Sequence, residues 1–309
     1  MLTLVAGRLA SGVVTLFVLT AAIHALVAIA PGDPLVALLG PAAFTVPEQE
    51  KARMRADLGL DRPWPAQVVS YLGGAVRGDL GTSRRSGRPV AAELRERFPF
   101  SLALAAAALP LATIIGLVAG TAAAARARSW VDAVVTGAVV MAAAVPTYWT
   151  ALLALLAFSL VLGWFPSSGA ESWRHGVLPV VTLAVASAAP LARVTRGAVL
   201  DAMSQPHVTA AHARGLAGRS LLLRHGLRNA MLPIVTVIGL DLGRVLGGAL
   251  FIEVVFGWPG LGRLMVDATL ARDLPLVMGG VIVAAASVIV ANLLVDLAYL
   301  RLDPRVRYR

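Results

Sequence analysis

The side chains of this 309-residue sequence that could do chemistry inside an apolar segment are Asp241 and Arg244. They are three residues apart, so in a helix they share one face. An ionisable side chain within a membrane is costly and therefore faces the protein interior or a water-filled cavity. We predict either that the two groups neutralise each other or a partner chain, or that they line the pathway of a solute. On the second interpretation they could also bind the termini of a zwitterionic peptide.

The same segment carries a glycine every four residues, at Gly239, Gly243 and Gly247. Glycines at this spacing let the backbones of two membrane helices approach closely. The stripe therefore predicts a helix-packing contact, near the interface with a second subunit.

Several kinds of chemistry are excluded by what the sequence lacks. It has no cysteine, so no disulfide, thiolate metal site or cysteine nucleophile is available. Its only lysine, Lys51, follows Glu50, whereas a Walker A motif needs Gly-Lys-Ser/Thr. The chain therefore has no P-loop for ATP and Mg²⁺. The sequence has no Ser/His/Asp or paired-carboxylate constellation, so we predict no catalytic residue, no cofactor and no enzyme activity in this chain.

Other polar groups have more modest interpretations. No metal site is predicted, because the loop that holds His207, His212 and His225 has no carboxylate directed towards them. Glu253 and the segment 256–262 could form part of an outer gate, or the segment could be a plain re-entrant turn. Asp296 is predicted to pair with Arg301 or with an interfacial arginine.

These groups must be positioned by a very apolar chain. Hydrophobic residues make up 58% and charged residues 14%, and the mean hydropathy is +0.78. Ordinary soluble domains have about 45–50% apolar and about 25% charged residues. The composition excludes a soluble enzyme, a disordered chain and a secreted disulfide scaffold, and it predicts an all-α, polytopic membrane protein.

Six stretches are long enough to span a bilayer as helices. They cover approximately residues 9–30, 100–125, 131–162, 177–200, 231–255 and 276–300. The third stretch is long and contains Pro146, so we expect it to be tilted, kinked at the proline or extended beyond the bilayer.

The distribution of arginine predicts the orientation. One set of segments holds thirteen arginines: Arg8, Arg126, Arg128, Arg193, Arg196, Arg214, Arg219, Arg224, Arg228, Arg301, Arg305, Arg307 and Arg309. The positive-inside rule places these segments, and both termini, in the cytoplasm. The net charge of +10 is therefore interpreted as membrane orientation and contact with lipid, and no nucleic-acid partner is predicted.

Three regions follow from this topology. Residues 1–30 are predicted to form a cytoplasmic N terminus and the first membrane helix, residues 31–99 a small extracytoplasmic helical insertion, and residues 100–309 a five-helix core. The insertion could cover the outer bilayer surface, or it could be a self-packed cap with no ligand role.

The most informative segment is the arginine-rich cytoplasmic loop at about residues 201–230. Its spacing predicts a helix that ends at Gly215, which can take a positive φ, and a second helix from Ser220 to Asn229. The small residues Ala210 and Ala211 would let another surface approach closely. This shape suits docking of a cytoplasmic partner, and a basic loop that binds anionic lipid is the alternative.

The segments 209–216 and 224–233 resemble the EAA loop of bacterial ABC-importer permeases. On this resemblance the ATPase-coupling residues are Thr209, Ala210, Ala211, Arg214, Gly215, Leu216, Arg224, His225 and Arg228. Four further motifs occur in the same order, at residues 31–34, 78–83, 256–262 and 302–308. The whole chain resembles the dipeptide/oligopeptide permease family, which also includes nickel and glutathione importers.

Two residues depart from the general EAA signature. Thr209 stands where the signature has an acidic residue, and His207 where a tyrosine is often found. No acidic contact with the ATPase is therefore assigned to this loop.

The resemblance implies the ABC type I importer permease fold and a role in the bacterial plasma (inner) membrane. The chain would form half of the translocation pathway for di- or oligopeptides, with alternating access driven by separate subunits. The implied partners are a second homologous permease, one or two cytoplasmic ATPase subunits that bind ATP and Mg²⁺, and an extracytoplasmic solute-binding protein.

Three alternatives stay open at this point. The solute could instead be a nickel chelate, glutathione or another small molecule. A stand-alone secondary transporter or channel would predict inverted repeats and coupling-ion residues at the midplane, and the sequence shows no such repeat. A lipid-binding scaffold would tolerate Gly215→Glu.

Overall fold

The structure is a computed structural model, and it describes residues 2–29, 45–57, 61–216 and 218–302. These residues form helices joined by turns, without a β-strand among them, which confirms the all-α prediction. The motif at 31–34 and residues 303–308 of the last motif lie outside the described residues.

The α-helices are α1 (Leu2–Ile29), α2 (Glu48–Asp57), α3 (Trp64–Val76), α4 (Val90–Ala125), α5 (Trp130–Ala144), α6 (Thr147–Ala154), α7 (Trp173–Met203), α8 (Pro206–Ala213), α9 (Gly218–Leu221), α10 (Met231–Val255), α11 (Leu261–Leu270) and α12 (Leu274–Leu302). Two π-helical segments, π1 (Leu155–Val161) and π2 (Leu222–Leu227), follow α6 and α9.

In the described part of the chain, four helices are long and apolar enough to cross a membrane on their own. They are the segments Val5–Leu26, Val90–Ala125, Trp173–Met203 and Leu274–Leu297. Two bent pairs would raise the number to six: Trp130–Ala144 with Thr147–Val161, and Gly218–Leu227 with Met231–Val245. The six predicted spans correspond to this higher number.

The third predicted span is broken at its proline. Val145 has an extended ψ of 127° because the residue before a proline is disfavoured in the helical region. Pro146 is also extended, and α6 begins directly after it. The two halves of the span differ in direction by 102°, which is a sharper change than the expected kink.

The second span begins earlier than its apolar residues indicate. We expected it to start near residue 100, but α4 begins at Val90. Its first ten residues include Glu93, Arg95 and Glu96, so hydropathy alone does not mark them as part of the helix. The helix therefore extends beyond its apolar segment.

The chain forms two compact units, Met1–Pro99 with Leu261–Arg309, and Phe100–Gly260. In the first unit, α1 packs against α3 and α12. Arg8 lies 2.6 Å from the carboxylate of Asp296, measured from Nε to Oδ2, so the interfacial arginine expected for Asp296 is Arg8. At the other end of α1, His24 meets the ring of Tyr71 edge-on at a centroid distance of 5.8 Å.

In the second unit, α7 is the central helix and contacts α5, α6, π2 and α10. Two glycines of α4 also lie directly against it. A Cβ added to Gly116 would come within 2.8 Å of the Leu191 side chain, and one added to Gly120 within 2.5 Å of the Ala192 carbonyl oxygen. Close packing through a four-residue glycine spacing thus occurs at α4. The predicted regional boundaries at residues 30 and 99 stay a prediction.

Candidate functional site

Asp241 and Arg244 contact each other near the middle of α10. Arg244 Nη1 lies 3.2 Å from Asp241 Oδ1, an ion-pair distance without hydrogen-bond geometry. The Asp241 side chain is only 3% exposed, whereas that of Arg244 is 62% exposed. Asp241 is thus the buried member of the pair, and Arg244 is the exposed member.

Arg244 borders a cavity of about 290 Å³ within the second unit. The cavity lies beside the break between α5 and α6, and its lining includes Val145, Thr147, Ser187, Arg193 and Arg244. The broken span therefore leaves a partly open space beside it, and two guanidinium groups lie at the wall of this space.

Arg193 is the site residue that sequence reasoning missed. Its position among the cytoplasmic arginines suggested a juxtamembrane role, but α7 continues for ten further residues to Met203. The missed signal was the spacing of Ser187, Pro190 and Arg193, which recur every three residues and so share a helix face. All three line the cavity.

The predicted glycine stripe has different surroundings at its two ends. Gly239 is buried, but Gly247 is exposed, and a Cβ added there would meet nothing within 4 Å. Its role in helix packing stays a prediction. A contact between this stripe and a second subunit stays a prediction.

The second candidate site is the helix–turn–helix segment at residues 206–230, which we call the coupling hairpin. Its turn is built as the sequence indicated. Gly215 has a φ of +89°, and the Leu216 N–H donates to the Ala211 carbonyl at 3.2 Å. His212 Nδ1 lies 3.0 Å from the Leu216 carbonyl oxygen and donates to it. A left-handed residue at this point requires glycine for an unstrained turn.

The coupling hairpin has a buried face and an exposed face. Val208, Ala211 and Leu221 form its small core, against which Leu216 packs. Ala210 and Ala211 were both predicted to let another surface approach closely. Ala210 is exposed, but Ala211 is fully buried in the small core of the hairpin. The other predicted coupling residues on the exposed face are Thr209, Arg214, Gly215, Arg224 and Arg228, with His225 partly buried.

One contact joins the two arms of the coupling hairpin, and another joins the hairpin to α7. Asn229 Nδ2 donates to the His225 carbonyl at 2.7 Å and lies 2.9 Å from His207 Nε2, which accepts from the same amide group. Gly226 is buried against the last turn of α7, where an added Cβ would come within 2.9 Å of Met203 Sδ. A displacement of the hairpin would therefore act on α7 directly.

The turn at residues 256–260 is packed rather than open. The Glu253 carboxylate accepts a hydrogen bond from the Ser101 hydroxyl at 2.5 Å, and its side chain is buried. Trp258 donates its indole N–H to the Phe100 carbonyl at 3.0 Å. These contacts fix the turn in place, and both the outer-gate and the re-entrant interpretations stay predictions.

No cluster of three or more histidine or acidic side chains that could hold a metal ion occurs in the described ranges. An ion pair joins two helices of the second unit. Arg196, on α7, donates from Nε and Nη2 to the two carboxylate oxygens of Asp132, on α5, at 2.6 Å and 2.7 Å.

Comparison with known proteins gives a consistent assignment. Two family profiles match consecutive parts of the chain: the N-terminal part of binding-protein-dependent transport system membrane components over residues 1–105, and the binding-protein-dependent transport system inner membrane component over residues 112–308.

Curated relatives match along their whole length. The chain is 40% identical over 309 residues to the glutathione transport system permease protein GsiC of Escherichia coli, covering 100% of both chains. It is 39% identical, again over 100% of both chains, to the protein of the same name from Shigella flexneri.

A solved structure supports the fold. The match is to a crystal structure of an amino acid ABC transporter with histidines, with a TM-score of 0.55 and 15% identity, covering 68% of this chain and 94% of the other. The chain therefore belongs to the family of binding-protein-dependent transport system inner membrane components, and it is a multi-pass permease subunit of an ABC importer.

Proposed function

We propose that this chain forms half of its importer's solute pathway and that a second, homologous permease forms the other half. The observation that carries the proposal is Arg244, whose side chain is 62% exposed near the middle of a membrane helix. A guanidinium group at that depth faces water or protein rather than lipid. The adjoining cavity of about 290 Å³ supplies the aqueous space.

We propose that the solute is glutathione or a similarly small peptide. Full-length relatives at 39–40% identity are glutathione permeases, which favours this solute over the broader di- and oligopeptide class. Ligand pockets typically have volumes of about 300–1,000 Å³, so the cavity of about 290 Å³ in this subunit would hold part of a tripeptide. A nickel chelate is the alternative within the family.

The energy is proposed to come from cytoplasmic ATPase subunits that bind ATP and Mg²⁺ and dock on the exposed face of the coupling hairpin. Both termini then lie in the cytoplasm, and an extracytoplasmic binding protein delivers the solute. The contact of Gly226 with Met203 supports this role, because it links the hairpin to α7.

The test is transport by the whole importer in proteoliposomes. The chain is reconstituted with its second permease, ATPase subunits and binding protein, and uptake of labelled glutathione, dialanine and a nickel chelate is followed with and without ATP. We expect ATP-dependent accumulation of glutathione, and none by this chain alone. Accumulation of only the nickel chelate would overturn the proposed solute, and ATP-independent transport by the lone chain would overturn the proposed role.

A further inference from the structure

The cavity beside the α5–α6 break has an excess of positive charge. Asp241 lies against Arg244 and offsets its charge. Arg193 lines the same cavity, but within the described residues no carboxylate lies at ion-pair distance from it. One guanidinium in this space is therefore without a counter-charge from its own unit.

The position of Arg193 within α7 makes this imbalance significant. It lies ten residues before the end of α7, which is about 15 Å along a helix axis. Long basic side chains near the end of a membrane helix can extend to the headgroups. Arg193 instead borders a partly open cavity together with Arg244, and charged groups that line a cavity between membrane helices mark solute pathways.

We propose that Arg193 and Arg244 together bind a carboxylate of the solute, so that the permease itself favours solutes with an additional negative charge. This inference rests on the proposed function, because it takes the cavity to be part of the pathway. It adds a specificity-determining residue, Arg193, and a substrate class, small anionic peptides.

The chemistry of the arginine side chain fits this role. A guanidinium group is planar and offers N–H donors in a fork that matches both oxygens of a carboxylate. Asp241 is a positioning residue, since its buried carboxylate lies 3.2 Å from Arg244. The side chain of Arg193 is exposed, so its fork is accessible from the cavity.

The experiment compares two peptides that differ in one carboxylate, glutathione and its glycine amide, in the reconstituted importer. The binding protein is first loaded to saturation with either peptide, so that a difference in maximal uptake rate arises at the permease. The variants are Arg193→Gln, Arg193→Lys and, as a control from the same unit, the exposed Arg126→Gln. The amount of assembled complex is measured for each.

We expect Arg193→Gln to lower the uptake of glutathione about 10-fold or more relative to the amide, since a hydrogen bond to a charged group is lost. Arg193→Lys should restore part of the preference, because it keeps the charge but not the fork. Arg126→Gln should leave the ratio unchanged.

An unchanged ratio in assembled Arg193→Gln complexes, whether both rates fall equally or neither falls, would overturn the charge-recognition proposal and leave the proposed function standing. If the wild-type importer transports neither peptide in an ATP-dependent way, the proposed function is wrong, and the inference falls with it. If Arg193→Gln does not assemble, the uncharged variant Arg193→Met takes its place, and an unchanged ratio in its assembled complexes would overturn the proposal in the same way.

Discussion

Ser83 donates its hydroxyl to the carboxylate of Asp273 across 190 residues of sequence, at an Oγ–Oδ2 distance of 2.6 Å. Both side chains are buried. The Arg85 N–H donates to the same oxygen at 3.2 Å, and the Leu276 N–H to the other oxygen at 3.3 Å. The motif at residues 78–83 thus fastens its loop to the start of α12.

Ser83→Ala should destabilise this attachment by about 1.5–3 kcal/mol, because a buried carboxylate loses one of its donors. Hydrogen exchange of the purified importer should show faster exchange in the loop at residues 80–90 than in the wild type. The control is Ser70→Ala, at an exposed position of α3. Equal exchange rates in Ser83→Ala and wild type would contradict the role of this hydrogen bond.

The same carboxylate predicts a dependence on pH. Burial alone would raise the pKa of Asp273, but the hydrogen bonds from Ser83 and from the Arg85, Arg84 and Leu276 N–H groups together hold its pKa below the ordinary value of 3.8. A depressed pKa contributes stability above pH 3.8 that is lost as the pH falls through the lower folded-state value.

Protection of residues 80–90 against exchange should therefore persist from neutral pH to about pH 4 and decline below it. Asp273→Asn should weaken the protection at neutral pH and flatten its decline in acid. A decline of equal size in Asp273→Asn and wild type would assign the pH dependence to other groups.

Gly215→Ala should weaken coupling between ATP hydrolysis and transport. An L-residue in the left-handed region costs about 1–2 kcal/mol, and the φ of Gly215 is +89°. We expect a several-fold loss of ATPase stimulation by the loaded binding protein, with partial recovery in Gly215→Asn, since asparagine tolerates this conformation. Gly137→Ala, where an added Cβ meets nothing within 4 Å, is the matched control. Full stimulation in Gly215→Ala would argue for the lipid-binding alternative.

Gly120→Ala should loosen the contact between α4 and α7. The added Cβ would lie 2.5 Å from a backbone oxygen, at Ala192, and 2.6 Å from the Thr195 Cβ, neither of which can move independently of the helix. Overpacking of this kind costs about 1–3 kcal/mol. The thermal unfolding midpoint of the purified importer should fall in Gly120→Ala and stay unchanged in Gly137→Ala. Equal midpoints in Gly120→Ala and the wild type would contradict a tight contact between α4 and α7 at this glycine.

Features that depend on local sequence were predictable. The helix period placed Asp241 and Arg244 on one face, and Gly215 marked the turn of the coupling hairpin, because a helix repeat and a positive φ leave signatures within a few residues. The same reasoning identified Pro146 as the weak point of its span.

Features that depend on contacts between distant residues were not predictable in the same way. A count of arginines along the chain could not place Arg193 at a cavity, since its neighbours there include residues on α5 and α10. Glycine spacing drew attention to α10, but which glycines meet another helix depends on how the helices are arranged, and Gly116 and Gly120 of α4 are both held against α7. The partnership of Ser83 and Asp273 has no local signal at all.

The central claim, that Arg244 faces an aqueous pathway, can be measured directly because the chain has no cysteine. Arg244→Cys in the assembled importer is treated with a membrane-impermeant thiol reagent, and modification of this chain is quantified by mass spectrometry with and without trapped ATP. Val140→Cys, at an exposed apolar position of α5 that does not line the cavity, is the control. We expect Arg244→Cys to be modified at a rate that changes with the nucleotide state, while Val140→Cys stays unmodified. An Arg244→Cys that is modified in neither state would contradict the claim.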